Sequence, residues 1–221
     1  MSLVLGIDTC GPTGSVALAR LAPDSLTLLG QRELPGRSYS ATLISAVAEL
    51  LAEAQSTVAQ LQAIVVTQGP GSFTGVRVGL AAVKGLAEPA QTPVVAVSRL
   101  AVLAATASTV SAALDAHRHE LFLRAESATG SVELLAGAEE LAALTPVPAR
   151  IAVCDDAAAE LLRTHWPATE LVRVPPPTAA DALALAAPEV RAGHFADVLA
   201  LDGHYLRRSD AEIFGPQTHC A

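Results

Sequence analysis

The sequence predicts an α/β protein of two similar halves, each with the order strand, strand, strand, helix, strand, helix, strand, helix. Hydrophobic periodicity switches between the two-residue repeat of strands and the 3.6-residue repeat of helices, and this order of elements occurs twice. The chain has 221 residues, 51% of them hydrophobic, which is enough to bury a sizeable core as one large or two small domains. We therefore expect a first lobe over residues 1–108 and a second over 109–221.

The first half opens with three short runs rich in Val and Leu, separated by Gly, Pro and Asp turns, as is typical of strands. Helical periodicity then alternates with two further strand-like runs. The predicted strands are Leu3–Asp8, Ser15–Leu21, Leu26–Leu34, Ala63–Thr67 and Pro93–Val97, and the predicted helices are Ser40–Ala54, Ser72–Ala87 and Ser98–Ala107.

The second half repeats this order, and the pair Asp155-Asp156 is expected to start a helix, where carboxylates favour the positive end of the dipole. The predicted strands are Ser111–Asp115, Glu120–Glu126, Ser131–Leu135, Arg150–Cys154 and Glu170–Val174, and the predicted helices are Ala138–Leu144, Ala157–Thr164 and Ala179–Ala192. In each half, three consecutive strands can form an antiparallel meander that strand-helix units extend in parallel, with right-handed crossovers.

This layout resembles the ribonuclease-H-like fold, and two tandem copies, the second one reduced, resemble the actin, sugar-kinase and Hsp70 (ASKHA) architecture. The resemblance implies a nucleotide cleft between the copies. It also implies that aspartates ending the first strand of each copy face the phosphates and their metal ion. Asp8 and Asp115 hold those positions here. The alternative is that each aspartate simply starts a turn, where Asp is common.

A glycine-rich segment, Gln68–Gly79, follows a predicted strand and opens a predicted helix. Its glycines and proline favour a tight turn, and Ser72 is expected to cap the helix. Free backbone N–H groups at such a helix start suit an anion. The segment is not a nucleotide P-loop, because Val76-Arg77 stands where a lysine and Ser/Thr pair should follow the last glycine. It also lacks the Gly-x-Ser-x-Gly spacing of a nucleophile elbow.

Nearly the whole chain resembles the TsaB family, also called YeaZ. The motifs that carry this resemblance are Ile7–Thr9 followed by Ser15–Leu18, Gly69–Arg77, Asp115–Phe122 and Tyr205–Arg207. The resemblance implies an accessory subunit that pairs with TsaD, which transfers the threonylcarbamoyl group in the synthesis of N6-threonylcarbamoyladenosine in tRNA. It further implies a TsaE-like ATPase as a third subunit, tRNA contacted mainly through the complex, and a homodimer when TsaD is absent.

The chain differs from the catalytic paralogue TsaD in the motifs that bind TsaD's metal and adenosine. TsaD carries a His-x-x-x-His metal pair on its first helix, and the matching stretch Arg37–Leu43 contains no histidine. A glycine-glycine turn that would hold adenosine is replaced by Val153–Asp156. We therefore expect no catalytic residues, no cofactor and no metal. The alternative is an active ATP-dependent transferase of this superfamily, or a glycoprotease-like peptidase.

Other features of the sequence restrict the function. The spacing of His117 and His119 could seat zinc, but the sequence places no third ligand nearby. Cys10, Cys154 and Cys220 are far apart and predict reduced thiols in a cytoplasmic protein. The formal net charge of -8 does not suit a primary nucleic-acid binder. No apolar run approaches the length of a membrane span.

Two predicted helices offer a candidate partner interface. On the first, apolar residues occupy a wider arc of the helix surface than packing against one sheet requires. On the second, small residues align in a ridge that permits close helix approach. The residues singled out are Leu43, Val47 and Leu50 on the first helix and Gly75, Gly79, Ala82 and Leu86 on the second. Close packing inside the monomer is the alternative.

Overall fold

The structure is a computed structural model that describes residues 2–36, 38–127 and 130–207. These described residues form two five-stranded sheets. The strands of the first are β1 Ser2–Asp8, β2 Gly14–Leu21, β3 Leu26–Leu34, β4 Leu61–Thr67 and β5 Val94–Val97. Those of the second are β6 Ser111–Asp115, β7 Leu121–Ser127, β8 Gly130–Ala136, β9 Arg150–Val153 and β10 Glu170–Arg173.

Both sheets have the same topology. The strand order is β3-β2-β1-β4-β5 in the first and β8-β7-β6-β9-β10 in the second. In each sheet the first three strands are antiparallel and the last two extend the sheet in parallel. Ile7, for example, lies opposite Val16 on one side and Val66 on the other, and all three are fully buried. The predicted fold class, a tandem ribonuclease-H-like arrangement, is confirmed.

Six α-helices connect the strands in the described part of the chain: α1 Tyr39–Glu53, α2 Phe73–Ala90, α3 Arg99–Thr106, α4 Ala138–Ala143, α5 Asp156–His165 and α6 Ala179–Ala192. Each matches a predicted helix. The largest difference is at α2, which continues through Pro89 to Ala90 and has Gln91 as its C-cap in the left-handed conformation. The 3-10 turn at Val58–Gln60 was not predicted because three residues are too few to show periodicity. None of the described helices is long and apolar enough to cross a membrane.

In each half, the last helix packs against the sheet of the other half. α1 and α2 pack on the outer face of the first sheet, and α4 and α5 pack on the second sheet. The last helix of each half crosses over: α3 packs on the second sheet, whereas α6 packs on the inner face of the first. α3 and α6 also contact each other, so they fill the space between the sheets. The predicted lobe boundary at residues 108 and 109 falls between α3 and β6.

Residues 194–207, here called the C-terminal strap, tie the two lobes together. The Ala196 N–H donates to the Val94 carbonyl at 2.8 Å, which pairs the strap with the edge strand β5. Leu201 is buried in the first lobe's core. At its end, Arg207 pairs with Glu120 of the second lobe. The strap therefore forms one side of the space between the lobes.

Candidate functional site

A cleft of about 990 Å³ opens between the lobes, where several parallel strands end. Its lining comes from the turn after β1, the glycine-rich turn after β4, the end of β6, the start of α5 and the strap. Aromatic side chains in the lining are Tyr39, Phe73, Phe122 and Tyr205. Basic side chains in the lining are Arg77, Arg99, His117, Arg118, His204 and Arg207. The carboxyl ends of parallel strands are where ligands bind in open α/β sheets, which makes this cleft the candidate site.

The glycine-rich turn is held from three sides by backbone hydrogen bonds. The Ser72 N–H donates to the Cys10 carbonyl at 2.8 Å, next to the end of β1. The Arg99 N–H donates to the Gly69 carbonyl at 2.7 Å, and the His204 N–H donates to the Gln68 carbonyl at 2.8 Å. The turn thus joins the first strand, the start of α3 and the strap, which is a structural task.

Ser72 is the N-cap of α2, as predicted. Its hydroxyl oxygen accepts the Gly75 N–H at 3.3 Å, which satisfies one of the helix's unpaired N–H groups. Asp155 has the same role at α5, where its carboxylate accepts the Ala158 N–H at 2.7 Å. Both side chains are therefore explained by helix capping.

Replacing Ser72 with Ala is expected to lower the free energy of unfolding by about 0.5–2 kcal/mol through loss of this cap. Urea unfolding measures the change. Ser45→Ala, at an exposed position within α1, is the control and is expected to stay within about 0.5 kcal/mol of the unchanged protein. A neutral Ser72→Ala change that abolished a catalytic activity would instead identify a nucleophile.

Asp8 is buried, with 2% of its surface exposed. Its Oδ1 accepts the Cys10 N–H at 2.8 Å, and its Oδ2 lies 4.0 Å from Nε of Arg99. Burial raises the pKa of Asp8, although Arg99 and the Cys10 N–H act in the opposite direction. Arg99 lines the cleft, whereas Asp8 does not.

Asp115 lines the cleft but is engaged within its own turn. Its Oδ1 accepts the His117 N–H at 2.8 Å, and its Oδ2 lies 2.9 Å from Nδ1 of the same histidine. This is the turn role that the sequence left open. The side chains at these two positions therefore do not fit the metal-bound phosphate site that the fold family implies. A basic side chain already lies against each carboxylate: Arg99 beside Asp8 and His117 beside Asp115.

The predicted His117 and His119 pair lies in an unusual turn. His117, Arg118 and His119 all have positive φ angles of 56–61°, a conformation that is uncommon for residues other than glycine. Within the described ranges, no group of three or more His, Cys, Asp or Glu side chains is arranged to hold a metal ion.

The cysteines have structural or peripheral positions. Cys10 is buried, its Sγ donates to the Thr67 carbonyl at 3.1 Å, and burial places its pKa well above the ordinary value. Cys154 is partly exposed in the cleft, and burial also raises its pKa. Both are free thiols. Cys220 lies outside the described residues.

Most of the predicted interface residues are buried inside the chain. Leu43, Val47 and Leu50 are 1–2% exposed and belong to the first lobe's core. Within this chain the internal packing that the sequence analysis gave as the alternative accounts for these three side chains. Those three residues instead point at the strands.

The first half of the small-residue ridge on α2, at Gly75 and Gly79, also packs inside the chain. A Cβ atom on Gly75 would lie 2.0 Å from the Thr9 carbonyl oxygen, and one on Gly79 would lie 2.3 Å from Thr9 Oγ1. These glycines let α2 approach the end of β1, which is the alternative that the sequence left open. Ala82 and Leu86 are partly buried against the same core.

Two polar contacts between distant parts of the chain have no signal in the sequence. One is Arg99 with Asp8, a pair separated by 91 positions along the chain. The other is centred on Glu133, which accepts hydrogen bonds from Ser98 Oγ at 2.6 Å and Arg124 Nη1 at 2.8 Å and lies 2.9 Å from His204 Nε2. Burial alone would raise the pKa of Glu133, but these three partners hold it below the ordinary value.

The chain is similar to known proteins in both sequence and fold. A family model described as "TsaD: tRNA N6-adenosine threonylcarbamoyltransferase" matches residues 33–144. The tRNA threonylcarbamoyladenosine biosynthesis protein TsaB of Escherichia coli K12 is 33% identical over 125 residues, covering 54% of this chain and 52% of that protein. The protein of the same description from Haemophilus influenzae is 35% identical over 125 residues, covering 54% and 51%. The chain thus spans about half the length of the curated relatives it matches.

Among solved structures, YeaZ from Pseudomonas aeruginosa superposes with a TM-score of 0.72 at 27% identity. The match covers 93% of this chain and 100% of that one. A second structure from the same organism, described as an uncharacterized protein with similarity to the peptidase YeaZ, gives a TM-score of 0.74, also at 27% identity, covering 94% and 100%. The likeness therefore extends over both lobes.

Proposed function

Because this chain belongs to the TsaD family and, within it, to the TsaB (YeaZ) group, we propose that it is a non-catalytic accessory subunit in tRNA threonylcarbamoyladenosine biosynthesis. The observation that carries the proposal is that the candidate catalytic side chains in and beside the cleft already have structural partners. Asp8 is buried beside Arg99, Asp115 binds its own turn, and Ser72 caps a helix. The alternative, an ATP-dependent transferase or a peptidase, needs a positioned base or nucleophile, and these three candidates already have structural partners.

The partner in this proposal is a TsaD-like catalytic subunit, and a TsaE-like ATPase joins the pair. The surface we assign to the TsaD-like subunit is the exposed side of α1 and α2, helices that pack against each other. Ile44 is its main apolar side chain, with 49% of its surface exposed. The exposed positions of these two helices include the small residues Ala41, Ala48, Ala81 and Gly85.

Small residues around one large apolar side chain suit close contact with another helix pair, since backbones can approach where side chains are short. Lys84, the residue before Gly85 on α2, adds a positive charge next to this surface. Because the partner belongs to the same family, the same surface would also support a homodimer when the TsaD-like subunit is absent. In this arrangement tRNA is contacted mainly through the complex.

Reconstitution tests the proposed function. The TsaD-like subunit, the TsaE-like ATPase, unmodified tRNA and a threonylcarbamoyl donor are combined with or without this chain, and the modified nucleoside is measured by mass spectrometry of digested tRNA. We expect modification only when the TsaD-like subunit is present, and more of it when this chain is added. Modification by this chain alone would contradict the accessory role.

Ile44→Asp is expected to weaken binding of the TsaD-like subunit by about 1–3 kcal/mol, roughly a 5- to 150-fold loss of affinity, because a charge would be buried in the contact. Isothermal titration calorimetry measures the affinity. The control is Val110→Asp, at an apolar position of similar exposure (53%) that lies between α3 and β6. Equal affinity of both variants would place the interface elsewhere.

A further inference from the structure

The C-terminal strap is attached to the two lobes in different ways. To the first lobe it is tied through its backbone, since the Ala196 N–H donates to the Val94 carbonyl at 2.8 Å. A second backbone bond runs from the His204 N–H to the Gln68 carbonyl, also at 2.8 Å. Between these two bonds, Leu201 is buried in the first lobe's core. Up to His204 the strap is therefore an arm of the first lobe.

The strap reaches the second lobe through side chains at its end. The His204 ring lies against Glu133 of β8, and the Arg207 guanidinium pairs with Glu120, which precedes β7. Leu206, between them, packs against the apolar cluster that α3 forms with the second sheet. Among the described residues, no backbone-to-backbone hydrogen bond joins the strap to this lobe. The attachment to the second lobe therefore depends on three side chains.

The contact of His204 with Glu133 can be broken at limited cost. The Glu133 carboxylate lies 2.9 Å from His204 Nε2 and also accepts hydrogen bonds from Ser98 and Arg124. If His204 leaves, those two donors still satisfy the buried carboxylate, so no buried charge is left without a partner. The His204 side chain is partly exposed, and water can replace Glu133 as its partner. This contact is therefore suited to opening and closing.

Arg207 holds an unusual turn of the second lobe. The turn consists of residues 117–119, all with positive φ, and is here called the left-handed turn. The Arg207 guanidinium donates to the His117 carbonyl at 3.4 Å and pairs with the Glu120 carboxylate, so it contacts both ends of the turn. Residues other than glycine keep such a conformation only where their surroundings enforce it. Asp115 does so from within the lobe, and Arg207 does so from the strap.

We propose that the strap is a latch, an arm fixed to the first lobe that holds the second lobe reversibly through His204, Leu206 and Arg207. Release of the latch lets the left-handed turn relax, because the turn then loses the guanidinium that holds both its ends. Segments held by a few side-chain contacts open at a lower free energy than the global fold. The strap forms one side of the space between the lobes, so its release also separates the lobes on that side. This inference goes beyond the accessory role and does not depend on it.

Amide hydrogen exchange of the whole chain, followed by NMR at neutral pH, tests the latch residue by residue. Arg207→Gln removes the charge that holds the turn, and Glu120→Gln removes the same ion pair from the other side. The control is Arg150→Gln, at an exposed arginine that pairs with Glu170 between β9 and β10.

A second readout is the rate at which iodoacetamide modifies Cys154. This partly exposed thiol packs against the same apolar cluster as Leu206, so release of the strap should uncover it. Peptide mass mapping separates Cys154 from the other two cysteines.

We expect both latch variants to speed exchange of the amides of Ala116 and residue 120, which bond within and across the left-handed turn, by about 3- to 10-fold. Modification of Cys154 should also become several-fold faster. The amides of Ala196 and His204 should keep their rates, because their acceptors belong to the first lobe. The control variant should leave all of these rates unchanged.

A glycine in the turn tests the strain. Gly adopts positive φ without steric cost, so in a His119→Gly protein the turn can keep its shape without Arg207. Adding Arg207→Gln to this protein should therefore speed exchange at the turn less than it does in the unchanged protein. An equal effect in both backgrounds would show that the turn stores no strain for the latch to release.

The latch is overturned if the turn amides keep their rates in both Arg207→Gln and Glu120→Gln. It is also overturned if the amides of Ala196 and His204 accelerate to the same extent as those of the turn, since the strap would then unfold together with the lobes. If one latch variant does not fold, the other still decides the question. Failure of both to fold would make the ion pair part of the fold itself, and the contact would not be a reversible latch.

Discussion

Leu50→Ala is expected to lower the free energy of unfolding by about 2–5 kcal/mol. Leu50 is 2% exposed and lies in the core between α1 and the first sheet. Its Cδ2 packs so close to β3 that a Cβ on Gly30 would lie 2.8 Å from it. Truncation to Ala would remove the apolar contacts and leave a cavity that the sheet cannot fill. Urea unfolding at neutral pH measures the loss.

Ile44→Ala is the matched control, because Ile44 lies on the same helix but on its exposed side. Removing a half-exposed side chain there is expected to change stability by about 1 kcal/mol or less. The pair of variants separates core from interface: Leu50→Ala should unfold more readily, and Ile44→Ala should lose partner affinity. A stable Leu50→Ala protein with impaired partner binding would restore the original assignment of Leu50 to the interface.

Gly75→Ala is expected to cost about 2–3 kcal/mol, even though Ala is favoured over Gly inside a helix by about 1 kcal/mol. The added methyl group would lie 2.0 Å from the Thr9 carbonyl oxygen, a backbone atom that cannot rotate away. α2 would have to move off the end of β1. That movement would also lengthen the 2.7 Å hydrogen bond from Thr9 Oγ1 to the Gly75 carbonyl.

Gly85→Ala provides the control within the same helix. A Cβ at Gly85 would meet no atom within 4 Å, so only the helix propensity changes. We expect this variant to be more stable than the unchanged protein by about 0.5–1 kcal/mol. If Gly75→Ala were as stable as Gly85→Ala, then α2 would not be held against β1 as described.

The order of strands and helices could be predicted from the sequence because periodicity is a local property. Central strands such as β4 form continuous apolar runs, and helix starts such as Ser72 and Asp155 carry their caps within three residues. These signals need no knowledge of the rest of the chain. The repetition of one order in both halves then indicated the tandem topology.

What sequence could not supply depends on residues that are far apart in the chain. The contact of Arg99 with Asp8 has no local signature, because the arginine simply follows the N-cap of α3. The width of the apolar arc on α1 did not reveal which part of the helix faces the sheet, and the structure shows that Leu50 lies on that part. For Gly79, small size indicated a close approach but not its partner, which proved to be Thr9.

The last helix of each half packs on the sheet of the other half, and this has a consequence for synthesis on the ribosome. The strands of the first sheet are complete at Val97, but α6, which covers their inner face, ends 95 residues later at Ala192 (192 − 97). At roughly 5–20 residues per second this interval lasts roughly 5–20 s. During it, apolar side chains such as Val4, Ala17 and Val65 have no covering helix. The nascent first lobe therefore presents a bare apolar sheet, a surface on which holding chaperones act, until the second half of the chain has been made.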